Sequence, residues 1–290
     1  MTPTDLSRPQ LAVDLVLFTM LTERDLSDSW IRELVSPVSE SKVVEGGLSM
    51  FVVTMQGPNG RMLPGALVEG NEQIADAGHR VLRDVLGVGV PVRLREVGTF
   101  DQLDRDPVSR VISIASWGFV RFQDLVKVLG GRDQVGLELV NSSAYIKDFA
   151  KQHGGLTDFD GICRFGFRYA PTTSRGHVKQ VTSDLGTRIL HQDHDNIVFY
   201  AWRKLRYAFS GRLDPFRYLG VKALGDEFRL SDLQEFQDVA CGINTHRDQF
   251  RRQMLSEKSF IVETKKLDSS RQGKPAALYT LGAELETGNE

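Results

Sequence analysis

The stretch LPGALVEGNEQIADAGHRVLRDVLGV, residues 63–88, contains acids at a spacing that could support phosphate chemistry. Hydrolysis of a nucleoside diphosphate needs Mg²⁺, which takes an octahedral oxygen shell from a few carboxylates and the substrate phosphates. A helix supplies such carboxylates at positions i, i+3 and i+4, which lie on one face. Here those positions hold Val81, Asp84 and Val85, so one of the three is acidic.

The same stretch resembles the Nudix box, a Gly, five residues, Glu, seven residues, then Arg-Glu-aliphatic-any-Glu-Glu-any-Gly-aliphatic. In this register Ala66 stands at the Gly position and Glu72 at the first Glu, and the later matches are Arg80, Leu82, Gly87 and Val88. The flanking segments LPGALVEG and REVGTFDQLDRDPVSRVISIA resemble the strands around the box in the subgroup near the ADP-ribose pyrophosphatases. The resemblance implies that Arg80 orients a box glutamate rather than contacting ligand.

The two aliphatic replacements predict a site that holds a nucleotide but hydrolyses it weakly or not at all, since too few carboxylates remain to activate a metal. We therefore assign no catalytic residue, no metal site and no cofactor. Ligand contacts are expected from Gly65, Glu72, Asp84 and Asp101.

Two alternatives remain open for this segment. The first is an active pyrophosphatase with an accessory domain, which would use Glu69, Glu72 and Asp84. The second is an ordinary amphipathic helix, because four apolar residues follow one another at i, i+3, i+7 and i+11 and could form a buried stripe; these are Ile74, Ala77, Val81 and Val85.

A second candidate surface lies near the C-terminus. Phe250 and Met254 predict the buried face of a helix at i, i+4 spacing, and the opposite face carries Arg and Gln, side chains that read guanine and adenine edges in DNA. Residues 244–275 hold eight Lys or Arg against four acids, a local net charge of +4 that suits phosphate binding. We predict base contacts from Gln249 and Arg252, and phosphate contacts from four further residues, Arg247, Arg251, Arg271 and Lys274.

The elements that present this surface form a helix, a tight turn, a second helix and a hairpin, which indicates a winged helix-turn-helix. Ser231 with Gln234, and Thr245 with Asp248, have the spacing of capping boxes at the starts of the two helices. SFIVETKK and PAALYTL read as the two strands of the wing. The alternative is a winged helix that serves dimerisation or protein contact only, with a solvated basic face.

The N-terminal two thirds predict a unit of mixed helices and strands. Strands are expected at 10–19, 48–55, in VPVRLREVGTF and in RVISIASWGFV, with a short helix around 29–34. QVGLELVN resembles a strand and SSAYIKDFAKQ a helix. Residues 197–208 carry apolar residues at helical spacing and predict an amphipathic helix at the domain connection.

Composition and charge limit the binding partners and the cellular compartment that the sequence can indicate. The chain of 290 residues has 36 basic and 38 acidic residues, so any nucleic-acid surface must be local. Neither a signal peptide nor an apolar run of membrane-spanning length is expected. Cys163 and Cys241 are expected to be buried, and in HQDHD, residues 191–195, an Asp is expected to cap a helix rather than bind metal.

The combination of a degenerate Nudix box and a winged helix resembles the NrtR family of Nudix-related transcriptional regulators of NAD metabolism. The resemblance implies an α+β fold, a Nudix-like α/β/α sandwich followed by the winged helix. We expect a ligand-sensing domain at 1–195 with an insertion at about 153–187, a connecting helix and linker at 196–215, and a DNA-binding domain at 216–290. The implied function is that of a cytoplasmic homodimeric repressor that binds double-stranded operator DNA and senses ADP-ribose or a related nucleotide.

Overall fold

The structure is a computed structural model with two compact units, Met1–Arg203 and Lys204–Glu290. It describes the following residues: 9–34, 47–57, 60–85, 87, 89, 92–103, 105–106, 108–129, 137–141, 190, 193–210, 221, 224–241, 243–256, 260–269 and 274–282. The expected insertion at 153–187, the predicted helix at SSAYIKDFAKQ, Cys163 and Arg271 lie outside these residues.

The first unit is built on a mixed sheet. Its strands are β1 (Gln10–Thr22), β2 (Leu48–Gly57), β3 (Gly60–Met62), β4 (Gly65–Leu67), β5 (Arg95–Phe100), β6 (Val111–Phe119) and β7 (Leu137–Asn141). Five strands follow the order β3-β2-β1-β6-β5, while β4 pairs with β1 and β7 with β2. β1 and β6 are parallel, and the other pairs are antiparallel.

β1 lies at the centre because its sequence is apolar on both faces. Val13, Leu15 and Leu17 point into a core that also contains Val81. On the other face Phe18 meets Trp117 of β6 edge to face, with ring centroids 6.3 Å apart.

The helices of the first unit cover the sheet or follow its strands. They are α1 (Glu23–Ser27), α2 (Ser29–Leu34), α3 (Ile74–Arg80), α4 (Phe122–Leu129) and α5 (His194–Ser210), and the boundary between the two units falls within α5. α3 continues into a π-helical turn, Val81–Val85. Of the proposed apolar stripe, Ala77 and Val81 are buried, whereas Ile74 is 40% exposed.

The second unit combines two helices with a three-stranded sheet. Its elements are β8 (Phe228–Arg229), α6 (Leu230–Cys241), α7 (Arg247–Ser256), β9 (Ile261–Asp268) and β10 (Ala276–Leu281). The strand order is β8-β10-β9. Phe250 and Met254 of α7 pack against Leu233 of α6 and Tyr279 of β10. Cys241 is buried at the end of α6, as expected.

Within the described part of the chain, no helix has both the length and the apolar character needed to cross a membrane.

Candidate functional site

The loop before α3 is held by a carboxylate and an arginine rather than by regular structure. Arg80 donates from Nε to Glu72 Oε2 over 3.0 Å, and its Nη2 donates to Glu72 Oε1 and to the Leu67 carbonyl. The backbone N–H of Glu69 donates to Glu72 Oε1 over 2.9 Å. Glu72 therefore joins the loop to the end of α3, and the pairing of Arg80 with a box glutamate agrees with what the resemblance implies.

This pair changes the acidity of both groups. Hydrogen bonds from Arg80 and from the Glu69 N–H lower the pKa of Glu72 to about 2. The hydrogen bond to Glu72 raises the pKa of Arg80 above its usual value. Glu72 is thus ionised in any ordinary buffer, with its charge already compensated within the protein.

The three helix positions that would carry the metal-binding acids have different environments. Val81 is fully buried in the core of the first unit. Asp84 is exposed, whereas the side chain of Val85 lies outside the described residues. The described residues contain no group of three His, Cys, Asp or Glu side chains that could hold a metal ion.

Gly65 in β4 stands directly opposite Asp14 in β1. A Cβ on this glycine would collide with the Asp14 carboxylate and come within 2.7 Å of the Val13 carbonyl oxygen. The residue at position 65 must therefore be a glycine to leave room for a buried acid.

Asp14 belongs to a buried polar cluster that ties three parts of the first unit together. Ser113 of β6 and Arg105, in the loop between β5 and β6, both donate to Asp14 Oδ2. Arg105 also binds Asp193 through three contacts of 2.9 to 3.2 Å from Nε and Nη2. Burial opposes the charge on Arg105, yet hydrogen bonds and ion pairs with Asp193 and Asp14 raise its pKa above the usual value.

The same cluster reaches the start of α5. The Asp193 carbonyl accepts from the N–H groups of Asn196 and Ile197, which places Asp193 at the beginning of the helix. Its carboxylate pairs with Arg105, and the side chain of Asp195, the other acid of this segment, lies outside the described residues. The next residue, His194, accepts at Nδ1 from the Leu63 N–H over 2.9 Å.

Sequence reasoning missed Asp14 and Arg105. The available signal was Asp14 itself, a single acid within the apolar run QLAVDLVLFT, because a buried carboxylate needs a buried partner. Asp101, one of the predicted ligand residues, is exposed just after β5 and four residues before Arg105. Gly65, Glu72, Asp84 and Asp101 remain predicted ligand contacts.

In the second unit, the turn between α6 and α7 is fixed by Asp238 and Gln234. Thr245 donates to Asp238 through its N–H and through its hydroxyl, at 2.7 Å from Oδ1, and Gln234 Nε2 donates to the Thr245 carbonyl. Both predicted capping boxes were wrong, because Gln234 and Thr245 join the two helices to each other. The N–H of Arg229 instead bonds the Asp232 carboxylate at the start of α6.

α7 presents the predicted DNA-reading side chains to solvent. Phe250 and Met254 are buried, whereas the predicted DNA contacts of this helix are exposed, namely Arg247, Gln249, Arg251 and Arg252. Arg252 Nε lies 3.3 Å from the Asp248 carbonyl oxygen, a contact within its own helix.

The hairpin of β9 and β10 adds further cations. Lys274 is exposed beside β10. Lys266 of β9 donates to Glu227 over 2.7 Å, and Arg229 pairs with Asp268, so these two cations are compensated within the unit.

Comparison with known proteins identifies the kind of domain at the C-terminal end of the chain. Residues 220–281 match the family model described as the NrtR DNA-binding winged helix domain. The sequence matches no curated protein. Among solved structures, Shewanella oneidensis NrtR complexed with a 27mer DNA is similar over 95% of this chain and 94% of that chain, with 18% identity and a TM-score of 0.57.

Two further solved structures show the same fold. A second crystal structure of Shewanella oneidensis NrtR is similar over 96% of this chain and 96% of that chain at 17% identity, with a TM-score of 0.56. A MutT/nudix family protein from Enterococcus faecalis covers 94% of this chain and 88% of that chain at 17% identity, with a TM-score of 0.59. The predicted fold class and the resemblance are therefore confirmed: this chain has the fold of the NrtR structures, a Nudix-like domain followed by a winged helix, and its residues 220–281 match the NrtR winged helix model.

Proposed function

We propose that this protein is a transcriptional regulator that binds operator DNA through the winged helix and responds to ADP-ribose or a related nucleotide through the Nudix-like domain. The observation that carries the proposal is the exposed basic face of α7 in a domain of the NrtR DNA-binding family. A homodimer in the cytoplasm, reading a near-palindromic operator, fits this class of protein.

The chemistry of α7 suits direct reading of base edges. Phe250 and Met254 fix the helix on the core, which leaves the opposite face free to enter a major groove. Gln249 and Arg252 would contact bases, because Gln pairs with adenine and Arg with guanine. The remaining cations would contact phosphates and set the register, namely Arg247, Arg251, Arg271 and Lys274.

The Nudix-like domain is better suited to holding a nucleotide than to cleaving it. Val81 lies in the core where the box would place a metal-binding acid, and Glu72 is engaged by Arg80. The protein would repress genes of NAD metabolism or related genes, and its ligand would shift operator affinity only to the extent that it prefers one state of the regulator.

The buried cluster offers a route for this response within the first unit. Arg105 lies on the same loop as Asp101, a predicted ligand contact, and it binds Asp193 at the start of α5. A ligand that displaces Arg105 together with the loop between β5 and β6 would therefore move or break the Arg105–Asp193 pair.

Operator binding with and without ADP-ribose tests the proposal. A duplex selected by the wild-type protein from a random-sequence library serves as the probe in a mobility-shift assay. We expect sequence-specific binding that changes with ADP-ribose, and failure to select any sequence would refute the regulator.

Incubation with ADP-ribose and Mg²⁺ or Mn²⁺, followed by measurement of AMP, tests the loss of catalysis. Turnover at about 1 per second or more would identify an enzyme instead. A thermal shift with a nucleotide panel tests the sensor, and no stabilisation by any nucleotide would leave a DNA binder without a ligand.

A further inference from the structure

The wing strand β9 contains a local break in its pairing with β10. The register shifts between Ala277 and Tyr279, so that the three residues 264–266 of β9 oppose the single residue Leu278. At the centre of this bulge, Lys265 has a φ of 62°. Among the described residues it is the one non-glycine residue with a positive φ.

The bulge is stabilised on both sides of Lys265. The Thr264 hydroxyl donates to the Leu278 carbonyl over 3.0 Å and accepts from the Lys266 N–H at 3.3 Å. A side chain thus replaces the backbone donor that a regular strand would offer to Leu278. On the far side, Lys266 is held by Glu227.

A positive φ is unfavourable for lysine because its Cβ approaches the backbone, whereas glycine adopts this conformation freely. Position 265 therefore carries strain that a glycine would relieve. Strained residues that the surrounding structure holds firmly concentrate at binding and catalytic sites, and bulges change the direction of a side chain within a strand. These facts call for a role that the lysine side chain performs and glycine cannot.

The charges around the bulge indicate that role. The Lys266 ammonium is compensated by Glu227 over 2.7 Å, whereas no described residue forms a hydrogen bond or ion pair with the exposed Lys265 side chain. The bulge therefore presents one uncompensated cation, on the same hairpin as Lys274. Such a cation on the wing is suited to a phosphate of the DNA backbone.

We propose that Lys265 is a phosphate-contacting residue of the wing, positioned by the Thr264–Lys266 bulge at a cost in fold stability. This inference rests on the proposed function as a DNA-binding protein. It adds a contact outside α7. It also predicts that replacing Lys265 by glycine raises the stability of the fold and lowers the affinity for DNA.

The test compares the full-length Lys265→Ala and Lys265→Gly variants with the wild type. Binding to a labelled random-sequence duplex is measured across a series of salt concentrations, because a phosphate contact acts on all sequences alike. Each variant should lower the magnitude of the slope of log affinity against log salt concentration by about 0.9 for each copy of the protein bound. At 0.1 M salt this change corresponds to a loss of affinity of about eight-fold. Lys127→Ala removes an exposed lysine of the first unit and should leave the slope unchanged.

Urea unfolding followed by circular dichroism supplies the second measurement. Lys265→Gly should unfold at a higher urea concentration than Lys265→Ala, since alanine keeps the unfavourable φ and glycine does not. Equal salt slopes for Lys265→Ala and the wild type would show that Lys265 does not contact a phosphate. A Lys265→Gly variant less stable than Lys265→Ala would show that the backbone at position 265 is not strained. A wild-type protein that fails to bind any DNA would instead overturn the proposed function together with this inference.

Discussion

Replacement of Arg105 by methionine tests the importance of the buried cluster. The Arg105 side chain is 3% exposed, and its partners Asp14 and Asp193 are 8% and 6% exposed. Methionine fills a similar volume without a charge, so the substitution leaves two carboxylates buried without their cation. Asp193 loses three contacts and Asp14 retains the hydroxyl of Ser113.

Breaking a buried ion pair by removing one partner costs about 3–5 kcal/mol. A domain is stabilised by about 5–15 kcal/mol in total, so the loss is a large fraction of the free energy of unfolding. With a urea dependence of about 2 kcal/mol per M, the midpoint should fall by about 2 M. Arg105→Lys should lower the urea midpoint by less than Arg105→Met, because lysine keeps the positive charge although it cannot bind Asp193 through two nitrogens.

Tryptophan fluorescence measures this loss in the first unit alone. The chain has three tryptophans, Trp30, Trp117 and Trp202, and all of them precede Lys204. Arg24→Met removes an exposed arginine of the same unit and should change the free energy of unfolding by less than about 0.5 kcal/mol. A midpoint for Arg105→Met within about 0.5 M of the wild type would show that the cluster is not the buried ionic network described above.

Three other predictions concern single side chains. The pKa of Glu72 is lowered to about 2 in the folded protein from an unfolded value of 4.5. The stabilisation by its pair with Arg80 is therefore present above about pH 4.5 and is lost as the pH falls toward 2. Glu72→Gln should remove this part of the pH dependence of unfolding. Val81→Glu should destabilise the first unit by about 3 kcal/mol or more in urea, because it buries an unpaired carboxylate, and a fully stable variant would contradict the core position of Val81. Arg252→Ala should weaken operator binding by about 1–3 kcal/mol and relax one base position, and a mobility shift equal to that of the wild type would remove Arg252 from the base contacts.

The regular elements could be predicted from sequence where local patterns agree with burial. β1, β2 and β6 are apolar runs that are buried on one or both faces, and each was predicted from the pattern of its apolar residues. α7 was located from Phe250 and Met254, because an i, i+4 pair on an otherwise polar helix has one way to be buried. Both kinds of pattern involve residues that lie close together in the sequence.

The helix termini and the buried cluster could not be predicted in this way. Thr245 and Asp248 have the spacing of a capping box, but Thr245 bonds Asp238, which precedes it by seven residues on another helix. Arg105 and Asp193 are 88 residues apart, and no local pattern pairs them. The tertiary fold brings the groups together and overrides the local preference.

The Nudix-like loop is held in its conformation without acids at positions 81 and 85. Glu72 is bound by Arg80 and by the Glu69 N–H, and Arg80 also binds the Leu67 carbonyl, so protein groups alone hold the loop in place. An acid at position 81 would have to leave the core or stay buried without a partner, whereas Val81 contributes apolar contacts there. A valine at this position offers no ligand to Mg²⁺, while it stabilises the helix that supports the loop. The proposed loss of cleavage is for this reason compatible with the proposed binding of a nucleotide in the same domain.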